Sequence, residues 1–270
     1  MTRDSIAEAA ARFARDIGPH AGTKGVKGRA ARRRTRGHEL TILHDEGLYR
    51  HLRFRSPDHS GYWFDLVTVP GTLVFQGDGD SYVFSRTEDM FAFFRGSSRE
   101  ERGINPTYWS EKLTTGGRNA VMRYDADLFE RTVKQHVVEA IRYGGAPRGI
   151  GKAVTEMFSW GDYSNEHDAH RMLESFELGA HYVVSCSCGA EAQLPDYGEV
   201  VTWQGRHRRQ AQDGTHHKIT DRRDEGFRFY DTWEWSFRDY DWWFLWACHA
   251  IVWGIARYDE AKQAAEAVAA

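Results

Sequence analysis

From residue 39 onward the hydrophobic positions recur with the two-residue period of strands. Short runs at 39–44, 48–55, 62–68, 72–77 and 81–85 are rich in Leu, Val, Tyr and Phe, and turn sequences such as Pro70-Gly71 and Gly77-Asp78-Gly79-Asp80 divide them. The pattern predicts an antiparallel meander of about five strands. In the second run Tyr49, His51, Arg53 and Arg55 alternate with Arg50, Leu52 and Phe54, which gives that strand one wet and one dry face.

After Thr87 the period lengthens to that of helices. Met90, Phe91, Phe93 and Phe94 fall on one short helix, and Asn105-Pro106 opens another that reaches Trp109 and Leu113. Asp125 or Asp127 caps a longer one, in which Phe129, Val133, His136, Val137, Ala140 and Ile141 keep a 3.6 spacing; His136 reads as a hydrogen-bonded core histidine. A further helix is expected at 164–176, and a short Ala-rich one at 3–17 with Ile6, Ala10, Phe13 and Ile17 on one side. A strand at 227–235 is expected to feed directly into the most apolar stretch, 239–259. There Trp242, Trp246 and Trp253 share one helical face while Trp243, Phe244, Leu245, Ile251, Val252 and Ile255 fill the others. A helix apolar nearly all round is buried, and its apolar run from Trp242 to Trp253, broken by His249, is shorter than the roughly 20 residues a bilayer requires.

The fold class that follows is α+β: an antiparallel β-meander of about five strands packed against helices, with a long buried aromatic C-terminal helix and a small insertion suited to zinc. The expected organisation is a basic, flexible N-terminal segment over 1–37, a main domain over 38–178 completed by 225–270, and an insertion over 179–224. Charge supports the first boundary. Residues 1–37 carry ten Lys or Arg against three Asp or Glu, so a tail of +7 precedes a body of −10 within a net charge of −3. From 23 to 36 there are seven basic residues and no acidic one, a segment suited to a solvated tail or to weak contact with nucleic-acid phosphates. The first residues lack the pattern of a signal peptide, so a cytoplasmic location is expected.

The insertion holds the clearest candidate chemistry. Three cysteines do not make a disulfide framework. Two of them, in Cys186-Ser187-Cys188-Gly189, follow a strand beginning at His181, and glycine after the second thiol allows a tight turn that directs both sulfurs inward. Soft thiolates with imidazole are what Zn2+ takes in a closed tetrahedral site. Cys186, Cys188 and His207, with His181 as the fourth ligand, make the expected set; His216 and His217 are substitutes, and an ordinary hairpin with two reduced cysteines is the alternative. This stretch resembles small Cys-x-Cys-Gly…Trp…His zinc-binding modules of actinobacterial and phage proteins. Six basic residues, Arg206, Arg208, Arg209, Lys218, Arg222 and Arg223, balance six acidic ones across it.

Catalytic signatures are missing. There is no Gly-x-Ser-x-Gly, no His-Glu-x-x-His and no dinucleotide-binding glycine fingerprint, and Gly149-Ile-Gly151-Lys152 lacks the spacing and hydroxyl of a phosphate loop. Asp78 and Asp80 read as a hairpin turn, and His167 with His170 lacks further metal ligands. Asp65, Glu88, Asp89 and Glu234 could build a metal-dependent active site only if the fold gathered them.

Several stretches together resemble a family of phage and prophage accessory proteins: Gly47-Leu-Tyr-Arg-His-Leu-Arg-Phe54, Tyr62-Trp-Phe-Asp-Leu-Val-Thr-Val-Pro-Gly71, Tyr82-Val-Phe-Ser-Arg-Thr-Glu-Asp-Met-Phe91, Ile104-Asn-Pro-Thr-Tyr-Trp-Ser110, Asp231-Thr-Trp-Glu-Trp-Ser-Phe-Arg-Asp-Tyr240 and Ala250-Ile-Val-Trp-Gly-Ile255. The chain is also similar to the phage-encoded Gabija anti-defence proteins. That resemblance implies a non-enzymatic, homo-oligomeric inhibitor in the host cytoplasm that binds a bacterial defence protein, a nuclease, and covers its DNA-binding surface. Neither the basic tail nor the insertion takes part in it. A zinc-containing nucleic-acid-binding accessory protein is the alternative reading, and a metal-dependent enzyme the third.

Overall fold

The computed structural model describes residues 8–9, 11–13, 37–97, 103–210 and 217–270. Most of the basic N-terminal segment lies outside the described residues, and so does His216. Two compact units emerge, one made of Met1–Arg123 with Asp239–Ala270 and the other of Tyr124–Arg238.

The first unit contains the expected meander. Strands β1 (Glu39–Glu46), β2 (Tyr49–Arg55), β3 (Phe64–Val69), β4 (Thr72–Gly77) and β5 (Tyr82–Ser85) form one antiparallel sheet in sequence order. Leu52, Phe54, Phe64, Leu66, Leu73, Phe75, Tyr82 and Phe84 are buried on its dry face. Helices α1 (Met90–Ser97), α2 (Pro106–Ser110) and α3 (Gly117–Ala120) follow, then β6 (Met122–Tyr124). Asp78, in the β4–β5 turn, accepts from the amide of Tyr62 in the loop before β3 at 3.1 Å.

The aromatic helix, α8, begins at Trp242 and runs to Ala269, three residues later and ten further than expected. Asp241 is the cap, accepting from the Trp243 amide at 2.8 Å, whereas Asp239 belongs to the short strand β10 (Arg238–Tyr240). Its first half is buried through Phe244, Leu245, Trp246, Ala247, Cys248, Ala250, Ile251 and Ile255, and the continuation after Tyr258 is largely exposed. Trp246 meets Phe64 edge to face at 5.8 Å, and Trp253 meets Phe54 at 5.5 Å. Close approach of helix to sheet depends on Gly254, where a Cβ would stand 2.9 Å from Leu66 and 3.0 Å from Phe54. The described part of the N-terminal segment is helical at 8–9 and 11–13, with Phe13 buried against Trp246.

The second unit has its own core, which revises the expected domain boundary. Helices α4 (Ala126–Arg142), α5 (Ile150–Trp160) and α6 (Glu166–Ser175) bury Phe129, Val133, Val137, Ile150, Val154, Ala169 and Leu173 against Phe229 and Phe237, so they group with the later chain and not with the meander. Residues 227–235 are not the expected strand. Only an isolated bridge pairs Phe227 with Leu178, and left-handed Asp231 turns the chain into a 3-10 turn over Thr232–Glu234. His136 is half-buried and stacks on Trp235 at 3.8 Å. A three-stranded sheet completes the unit, with β7 (His181–Cys186) between β8 (Glu191–Leu194) and β9 (Ile219–Asp224), joined by helix α7 (Tyr197–Gln210).

Candidate metal centre

The site grows out of the register of β7 with β9. Cys186 pairs with Ile219, so residues beyond Cys186 continue alongside residues that precede Ile219. The Ser187 amide donates to the Lys218 carbonyl at 3.0 Å, and the Lys218 amide returns to Ser187 Oγ at 3.1 Å. Gly189, at φ +89°, closes the thiol turn and donates to the Cys186 carbonyl at 2.9 Å. A side chain at that φ would be strained, and this turn brings Cys188 to the same end of the sheet as His217.

Helix α7 supplies the remaining donor from its last turn. Asp196 accepts from the Glu199 amide at its start, and Trp203 stacks on His207 with ring centres 4.7 Å apart and planes 6° from parallel. That stack aims His207 Nε2 at Cys188 Sγ, 3.3 Å away, and at His217 Nδ1, 3.1 Å away; Cys186 Sγ lies 3.3 Å from His217 Nδ1. All four donor atoms fall within 4.8 Å of one another.

These spacings fit a tetrahedral ion. With Zn–S of about 2.3 Å and Zn–N of about 2.0 Å, tetrahedral edges are about 3.5 Å for S···N and about 3.3 Å for N···N. The three separations differ from those edges by a few tenths of an ångström. Burial pushes the Cys186 thiol up, but the Cys188 amide and thiol and the His217 and His207 rings outweigh it and bring the thiol down to about 6. A thiolate is the form a metal binds. The cluster can therefore hold a metal ion, and its four protein donors leave no open position of the kind a catalytic zinc keeps.

Three expected ligands, Cys186, Cys188 and His207, are brought together, and the fourth is revised from His181 to His217. His181 stands five residues before Cys186 on one strand, which places the two on opposite faces and about 17 Å apart. Its Nδ1 donates to the Gly179 carbonyl at 3.1 Å, and its Nε2 faces Asp224 at 3.7 Å. Sequence reasoning held His217 only as a substitute because its place depends on the β7–β9 pairing, a non-local contact.

No other metal-ligating group of three or more occurs among the described residues. The scattered carboxylates are otherwise engaged: Asp65 accepts two bonds from Arg53 and one from His51, and Asp89 accepts from Arg50. Glu88 and Glu234 are exposed and belong to different units. His170 lies beside Phe237. Cys248 is fully enclosed in α8, and burial holds its thiol well above the usual range. Among the described residues no helix is long and apolar enough to cross a membrane. No family model, curated protein or solved structure matches the chain.

Proposed function

We propose that the chain is a non-catalytic binding protein in which zinc is a structural element of the second unit. The observation that carries this reading is the convergence of Cys186, Cys188, His207 and His217 from a strand end, a turn, a helix and the approach to a second strand. Thiolate and imidazole donors favour zinc over harder cations, and a closed four-donor site suits folding rather than turnover. Purified protein is expected to carry about one equivalent of zinc, released on acidification and regained at neutral pH. Less than about a tenth of an equivalent after refolding with zinc excludes the reading.

A second reading concerns the biological partner. Trp160 and Trp233 are 89% and 74% exposed on the second unit, and large exposed aromatics are the side chains that anchor protein interfaces. They favour a protein partner, in line with the implied role as an oligomeric inhibitor that covers the DNA-binding surface of a bacterial defence nuclease. The body of −10 charge suits such a surface. Affinity capture from cells that carry the defence nuclease is expected to recover it with the native chain and to lose it with Trp160→Ala and Trp233→Ala together. Equal recovery by both, or by neither, counts against this role.

A further inference from the structure

Five of the eleven arginines of the second unit pair with carboxylates. Arg223 and Arg228 engage Glu177, Arg238 engages Glu166, Arg171 engages Asp168, and Arg222 engages Asp224. The cations beside the metal centre are not among them. Arg206, Arg208 and Arg209 flank His207 on the last turn and a half of α7, Lys218 follows His217, and all four are exposed. Among the described residues none of these four side chains has a carboxylate partner. Because His207 Nε2 and His217 Nδ1 are 3.1 Å apart, the segments bearing these cations converge.

The helix macrodipole explains why cations are tolerated at a helix C-terminus. It does not account for Lys218, which is on the approach to β9, nor for the convergence of its segment with the end of α7. The metal sharpens the asymmetry. Two thiolates with a divalent ion and two neutral imidazoles sum to zero, so the metal centre itself would not compensate the four neighbouring positive charges.

We infer that this end of α7, together with Lys218, is a phosphate-contacting surface for a nucleic acid, and that the metal centre holds its four cations in one constellation. The inference rests on the structural-zinc reading and adds the partner. Phosphate contacts of this kind fix position without reading sequence, and they make affinity salt-dependent through counterion release. The half-buried Trp203, stacked on His207, ties the helix end to the metal, so losing the metal frees both arginine-bearing and lysine-bearing segments.

The test uses the full chain, zinc-loaded, and a fluorescently labelled 20-mer duplex DNA, with anisotropy read across a salt series. Replacing Arg206, Arg208 and Arg209 together by Ala is expected to weaken binding about 10- to 100-fold and to lower the log–log salt slope by roughly 2 to 3, since each lost phosphate contact removes about 0.9. Replacing all three by Lys keeps the slope. Zinc content is measured on the same samples. A zinc-loaded Ala variant with unchanged affinity and slope overturns the inference and leaves the zinc reading intact; a zinc-free native protein removes both. Failure of the zinc-loaded native chain to bind DNA at low salt also overturns it, as does equally tight binding of polyglutamate, which would point to an acidic protein partner.

Discussion

The sheet-and-helix unit and the thiol-bearing module solve the same problem of stability by different means. In the first, a five-stranded sheet and α8 enclose a continuous aromatic core, with Phe54, Phe64, Trp109, Trp246 and Phe244 almost wholly buried. In the module over 179–224, only Val184, Cys186 and Val200 are buried among the described residues. Two valines and a thiol cannot offset the ordering of such a stretch, and small modules in this position rely on a metal or disulfides. The difference teaches that the donor cluster and the thin core are one feature. Where apolar burial is lacking, a donor cluster that can hold a metal ion stands in its place.

Metal removal should break the comparison most sharply. Chelation, or Cys188→Ser with His217→Ala, is expected to abolish amide protection across β7, α7 and β9, with a loss of about 10 kcal/mol of metal-linked stability. Hydrogen exchange on the sheet of the first unit should stay the same, and collapse of both units together would show that they are not separately supported. The reciprocal experiment is Trp246→Ala. Truncating that core side chain should cost about 3 to 5 kcal/mol in the first unit and leave zinc content unaltered, as denaturant unfolding and metal analysis would report.

A smaller effect sits on the wet face of the sheet. Burial alone would raise the Asp65 carboxyl, but hydrogen bonds and charge from Arg53 and His51 hold it below its usual value. Its contribution is therefore complete above its unfolded value near pH 4, about 3.9, and is lost as pH falls through the lower folded value. Asp65→Asn should cost about 1 to 2 kcal/mol at neutral pH. Unfolding midpoints followed from pH 6 to pH 2 should fall less for the variant than for the native chain. The smallest expected change belongs to His181→Ala, which should retain zinc and alter stability by under about 0.5 kcal/mol. Loss of zinc in that variant would restore His181 as a ligand.

Much of this organisation is legible in local pattern. The five strands follow from alternation and turn residues, because each pairs with its neighbour in sequence. The thiol turn follows from Gly189, and His207 from its distance along the chain. What local pattern conceals is pairing at a distance. Helix α4 looks as though it joins the meander until Phe237 closes its core from more than 100 residues later, and His217 looks interchangeable with His216 until β9 pairs with β7. Asp231, with φ +52°, ends a run that composition marks as strand. The choice between His181 and His217 could have been narrowed, since the odd spacing from His181 to Cys186 already separates their faces.

The order of the elements also has a consequence for synthesis. The dry face of the sheet is complete by Ser85, yet the helix that covers it starts at Trp242. At translation rates of about 5 to 20 residues per second, the intervening 156 residues take roughly 8 to 30 s. Throughout that interval Phe54, Phe64, Leu66 and Phe75 have no α8 to cover them, while the entire second unit emerges and can fold. The first unit to be started is thus the last that can be finished, and its half-made sheet is the species a chaperone would meet.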